Sequence, residues 1–231
     1  MSISDRTIYF PGERTGVLLI HGLGGTPVEL RFIALGLARA GYTVLCPQLA
    51  GHCGTAAELR ATCLQDWYAT VEAVHARLAK ECDIVIVGGL SAGAILALHS
   101  AALHPNDVHG TVLFAYSRLF ALVTQRWCAD LFWFSEREPF GIKDKRVRAL
   151  MMNAIQSGDS SQAGQLSNPG GVMLELRWLV QAVRCELGMI RQPSLILHPR
   201  EDDRASLRNA LHLQNKLAGI VEVLVLNVAT T

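Results

Sequence analysis

Asp83-Ile84-Val85-Ile86-Val87-Gly88-Gly89-Leu90-Ser91-Ala92-Gly93 decides how this chain is read. The first half is a short run of β-branched residues, which suits a buried strand. The second half, Gly89-Leu90-Ser91-Ala92-Gly93, has the spacing G-x-S-x-G, and small and apolar residues from Ala94 to Leu103 follow it as a helix. A serine between a strand and a helix sits on a sharp turn, with its hydroxyl above the sheet. Glycines two positions either side let strand and helix pass closely. The serine is a candidate nucleophile; the other reading is a glycine-rich connection carrying a solvated serine.

Outward from that turn, apolar runs alternate with helical patterns. Strands are expected at 17–21, 42–46, 84–88, 111–114, 194–198 and 221–226. They are almost continuously apolar, which predicts a sheet covered on both faces. Helices are expected near 27–40, 64–80, 92–103 and 205–217. Strand–helix alternation implies parallel pairing with right-handed crossovers, an α/β fold. Residues 117–189 break the rhythm and are too long for a loop. They include the amphipathic stretch GVMLELRWLVQAVRCE at 171–186. The interval is taken as a helical cap inserted into a single domain spanning 1–231; the alternative is further core helices.

Composition narrows the function. The chain has 231 residues, half of them hydrophobic, with a mean hydropathy of +0.26, enough for one well-buried domain. Lys and Arg number 21 against 20 Asp and Glu, so no excess charge favours nucleic acid or an anionic membrane. The six cysteines form no C-x-x-C pair, so no zinc or other metal site is expected. Scattered cysteines and an N-terminus without an apolar core imply a cytoplasmic protein. Residues 84–103 carry no Asp, Glu, Lys or Arg, but Gly88, Gly89 and Gly93 divide them into strand and helix rather than a membrane span.

A serine hydroxyl needs a base, an acid to orient that base, and donors for the oxyanion. The strand at 17–21 runs into His21-Gly22-Leu23-Gly24-Gly25-Thr26, whose glycines let backbone N–H groups turn toward a neighbouring pocket. The strand at 194–198 runs into Glu201, Asp202 and Asp203, acids at the carboxyl end of a parallel strand. Chemistry alone does not choose among the three.

Taken together, HGLGGTP at 21–27, PQLAGH at 47–52, Asp66-Trp67, GLSAG at 89–93 and LILHPREDD at 195–203 resemble the α/β-hydrolase superfamily. The likeness is to bacterial carboxylesterases of the monoacylglycerol lipase and serine-aminopeptidase-like group, and it spans nearly the whole chain. One departure is Gly93-Ala94, where relatives carry two glycines. The resemblance implies Ser91 as nucleophile, the N–H groups of Leu23 and Ala92 as oxyanion donors, and Asp202, with Ser206 four residues on, as the acid. It implies no cofactor, a cap over an acyl pocket, and a small neutral ester as substrate.

The same resemblance places the catalytic histidine just after the last core strand. There the chain reads Val228-Ala229-Thr230-Thr231. The expectation is therefore a chain shortened at its C-terminus, without the triad histidine and the closing helix. Loss of a triad base costs on the order of 10⁶ in kcat, roughly 8 kcal/mol. His21, His52 and His198 could each approach the pocket as a substitute base, though each position is explained without catalysis, and His75, His99, His104, His109 and His212 lie on helices or at the far end of a strand. Two functions are expected: impaired ester hydrolysis through an acyl-enzyme, or a non-catalytic remnant that binds an apolar ligand. Uncovered sheet surface also raises the expectation of a homodimer.

Overall fold

The computed structural model describes residues 5–114, 136–137, 168–200 and 206–227. Its centre is a seven-stranded sheet. In chain order the strands are β1 (Ile8–Phe10), β2 (Thr15–Ile20), β3 (Thr43–Cys46), β4 (Ile84–Leu90) and β5 (Val108–Phe114). After a separate two-stranded pairing of β6 (Glu136–Arg137) with β7 (Asn168–Pro169) come β8 (Ser194–Pro199) and β9 (Val221–Leu226). Across the sheet the order is β1-β3-β2-β4-β5-β8-β9. Only β1 runs antiparallel, with Ile8 opposite Cys46. The helices are α1 (Arg31–Arg39), α2 (Ala56–Arg60), α3 (Leu64–Glu81), α4 (Ala92–Leu103), α5 (Gly170–Glu186) and α6 (Leu207–Lys216).

The strands and helices expected from sequence are present, and β1, α2 and the β6–β7 pairing are additions. Strand β1 is too short for a periodic signal. It is held from outside, by the Tyr9 hydroxyl donating to Glu81 at 2.9 Å and by the Arg77 guanidinium 4.1 Å over the Tyr9 ring. Helix α2 opens with a capping box: Glu58 N–H donates to Thr55 Oγ1, and Thr55 N–H donates to Glu58 Oε2. The T-x-x-E spacing at 55–58 was a legible start signal.

Helix α4 is apolar all round and is buried along almost its whole length, as a helix between other layers must be. It lies on β4 and β5, and α3 and α5 flank it. Helix α5 falls inside the interval expected to form the cap. Its Leu176, Leu179, Val180 and Val183 belong instead to the main core, with Leu78 of α3 and Leu98 of α4. This helix packs on α3 and α4. The rest of the interval expected as a cap lies outside the described residues, apart from 136–137, 168–169 and 187–189.

Cover is uneven. Helix α1 packs over β1 and β3, while β9 alternates, with Glu222, Leu224 and Leu226 exposed. The expectation of strands buried on both faces therefore fails at this edge. Among the described residues no helix is long and apolar enough to cross a membrane.

One buried acid ties the helical layer together. Glu175 of α5 is 5 % exposed, and its Oε2 accepts from Leu64 N–H at 3.0 Å, at the start of α3. Leu64 N–H is one of the donors a helix N-terminus leaves open, and the helix dipole favours an anion there. Glu175→Ala is expected to cost about 1–3 kcal/mol in urea unfolding, because the donor loses its partner inside the core. Glu175→Gln, which keeps an acceptor oxygen, is expected to recover more than half of that loss.

Candidate active site

Ser91 is the single residue between β4 and α4, and its backbone lies at φ 55°, ψ −110°. A positive φ is costly for a residue with a side chain and persists only where surroundings impose it. Here they do so by close approach. A Cβ on Gly93 would lie 2.0 Å from Ile20 O of β2, and one on Gly89 would lie 2.3 Å from the Gly93 carbonyl carbon. Ser91 N–H donates to Phe114 O at 3.0 Å, tying the turn to the end of β5. The serine remains partly exposed at the carboxyl ends of the strands.

Residues 21–26 form the neighbouring loop. The point where a Gly22 Cβ would sit is 3.6 Å from Leu90 O and 3.9 Å from Ser91 Cβ. The loop therefore lies directly beside the serine. Among the described residues no acceptor pairs with Leu23 N–H, and Ala92 N–H opens α4, where no intrahelical acceptor is available.

His21 fixes the loop. It is fully buried; its Nε2 accepts from Leu49 N–H at 3.2 Å, so the proton sits on Nδ1, which donates to Gly22 O at 2.9 Å. Gly25 N–H donates to the same carbonyl at 3.0 Å. Gly22 C=O and Leu23 N–H belong to one planar trans peptide and point in opposite directions. Holding the carbonyl therefore aims the Leu23 N–H.

His52 packs edge-on to His21, ring centroids 4.9 Å apart, and to Trp67 at 5.9 Å. Its Nδ1 donates to Ala50 O at 2.9 Å, and its buried Nε2 has no hydrogen-bond partner. Burial holds His52 neutral, its pKa lowered to about 4; burial and the neighbouring His52 lower His21 to about 3. The Trp67 indole N–H donates to Thr62 Oγ1, and Asp66 accepts from Cys63 N–H at the start of α3. These two residues serve local structure.

The other histidines have different settings. His75 and His104 stack at 4.2 Å, and His104 pairs with Glu72 at 2.7 Å. His99 pairs with Glu186 at 2.7 Å and stacks on Tyr68. His109 Nδ1 accepts from Val85 N–H near the start of β4. His198 ends β8, fully buried, and His212 lies on α6. Among the described residues no histidine is hydrogen-bonded to Ser91. Asp202 lies outside the described residues; the preceding β8 is in place, and Arg200 N–H donates to Leu226 O. No group of His, Cys, Asp and Glu fit to hold a metal occurs among the described residues.

A strand–serine–helix turn with a glycine-rich loop beside it, on a largely parallel sheet, defines a class of hydrolytic fold. The chain belongs to the alpha/beta hydrolase family, whose model matches residues 17–227. It is 30 % identical over 194 residues to a thermostable monoacylglycerol lipase of Bacillus sp. (strain H-257), covering 84 % of this chain and 73 % of that one. It is 31 % identical over 219 residues to a carboxylesterase of Bacillus subtilis (strain 168), covering 93 % and 83 %. Among solved structures, one reported with LipS and LipT, two metagenome-derived lipolytic enzymes, superposes with a TM-score of 0.81 at 28 % identity, covering 96 % of this chain and 86 % of that one. Lipase and esterase relatives support ester hydrolysis in general.

Two outcomes follow from this packing. Gly93→Ala drives a methyl into Ile20 O, which is backbone and cannot swing aside. It is expected to cost about 3 kcal/mol or more, or to yield insoluble protein, in a thermal melt. For His21 and His52 the folded pKa lies below the ordinary value of 6.5. The unfolded chain then binds more protons between those values, so stability is intact above pH 6.5 and falls as pH drops toward 4. His52→Asn is expected to flatten that fall by up to ~1.4 kcal/mol per pH unit in urea titrations between pH 6.5 and 4.5.

Proposed function

We propose that this chain is a serine hydrolase acting on carboxylic esters with a short or medium acyl chain, monoacylglycerols included. The observation that carries the reading is Ser91 at φ 55° beside Gly22. In this scheme the Ser91 oxygen attacks the ester carbonyl and loses its proton to a base. The carbonyl oxygen becomes an oxyanion facing Leu23 N–H and Ala92 N–H. Collapse expels the alcohol, which takes up the proton, and leaves an acyl-serine. Water then attacks that acyl carbon and releases the acid. Asp202 is the acid that orients the base. The cap proposed to cover the acyl pocket is the one expected within 117–189, α5 excepted.

A second reading is favoured by one observation: none of the eight histidines is hydrogen-bonded to Ser91 among the described residues. Residues 1–231 then bind an apolar ester without efficient turnover. An oxyanion hole and binding without a triad base retain about 10³–10⁴ over water.

Hydrolysis of p-nitrophenyl butyrate by residues 1–231 separates the two. Turnover near the ordinary enzymatic range of about 1–10³ s⁻¹, abolished by Ser91→Ala, establishes the first reading and rejects the second. Turnover at least ~10³-fold below that range, still sensitive to Ser91→Ala, is the result expected of a site without its base. A rate unchanged by Ser91→Ala rejects the serine mechanism.

A further inference from the structure

The loop beside Ser91 is held from a second side, by a residue that no motif marks. Glu29 lies on the single 3₁₀ turn Pro27–Leu30 that follows the loop. Its Oε2 accepts from Gly22 N–H at 3.3 Å. The same carboxylate rests against the Cα of Gly25: a Cβ there would lie 2.4 Å from Oε2 and 2.5 Å from Oε1. Only glycine leaves that seat open. Glu29 Oε2 is also 3.7 Å from the point, beside Gly22, that lies 3.9 Å from Ser91 Cβ. The acid and the serine thus both approach Gly22.

Gly22 has two soft dihedrals and no side chain to restrain them. The carbonyl of its C-terminal peptide is held by His21 Nδ1–H and Gly25 N–H. The N–H of its N-terminal peptide is held by Glu29. Fixing both peptide planes fixes φ and ψ of Gly22, and with them the direction of Leu23 N–H. Preorganised donors are effective because they need no reorientation as charge develops.

We propose that Glu29 is a positioning residue for the oxyanion loop: its carboxylate, seated on Gly25 and accepting Gly22 N–H, keeps Leu23 N–H aimed at the space over Ser91. This rests on the reading of Ser91 as nucleophile. The role belongs to the acceptor oxygen rather than to the negative charge, which opposes a developing oxyanion. Glutamine in place of Glu29 therefore preserves the function, and alanine does not.

The test uses affinity for butylboronic acid, which adds to a serine oxygen, places a hydroxyl among the oxyanion donors and needs no turnover. Glu29→Ala is expected to weaken binding about tenfold, less than the 10²–10³ that follows loss of a whole donor. Its melting temperature should stay within about 3 °C of the unmutated chain, as for a surface change. Glu29→Gln is expected to bind as tightly as the unmutated chain or more tightly. Gly25→Ala, whose methyl meets the movable end of the Glu29 side chain, should displace the carboxylate and weaken binding equally. Adding it to Glu29→Ala should cause no further loss, since both remove one interaction. Unchanged affinity in Glu29→Ala, equal loss in Glu29→Gln, or full additivity of Gly25→Ala overturns the assignment of Glu29. Binding that is absent from the unmutated chain, or that survives Ser91→Ala, overturns the reading of Ser91 and Glu29 with it.

Discussion

The contact between α4 and β2 is the constraint on which the rest of the molecule depends. Gly93 brings the first turn of α4 so near Ile20 O that not even a methyl group fits. That approach leaves one residue, Ser91, to reverse the chain between strand and helix, and it imposes the positive φ. The local strain is of order 1–3 kcal/mol. It is offset by the burial of α4, whose Ile95, Leu96 and Leu98 are almost wholly removed from water. Fully burying a large aliphatic side chain contributes about 1.5–3 kcal/mol. The core thus holds the serine in a conformation it would not adopt in a free peptide.

Around that turn the polar chemistry is arranged by burial. His21 and His52 lie in an apolar setting with Trp67, and desolvation keeps both neutral. A neutral imidazole has one donor and one acceptor nitrogen. Leu49 N–H selects which is which in His21, and the remaining N–H reaches the loop carbonyl. The geometry of a backbone amide beside Ser91 thus depends on a residue nearly thirty positions along the chain. The same logic, an acceptor meeting an open backbone donor, recurs where Glu175 meets the start of α3.

Much of this was legible beforehand because it is local. The apolar runs that became β2, β3, β4, β5, β8 and β9 advertise themselves by composition, and α4 by the small residues after Ser91. Strand β1 was not legible: three residues carry no period, and its anchors Arg77 and Glu81 lie on α3. Helix α5 was legible as a helix but not as core, since its apolar stripe suits a cap or a sheet equally well. Only its contacts with α3 and α4 decide between them. At the site, Ser91 and the loop at 21–26 were found from their glycines. Glu29 was not, because an exposed acid on a short turn looks like solvated surface until Gly25 is seen beneath it.

By itself, then, the order of residues determined the alternation of strand and helix, the parallel sheet, and which serine sits at the turn. These follow from side-chain periodicity and from the spacing of glycines, both properties of neighbouring positions. Only the tertiary structure decided which faces are covered, which histidines stay neutral, and which peptide planes beside Ser91 are held. Those depend on groups far apart in the chain that meet after water has been excluded. Desolvation and close approach have no signature until the partners are in contact.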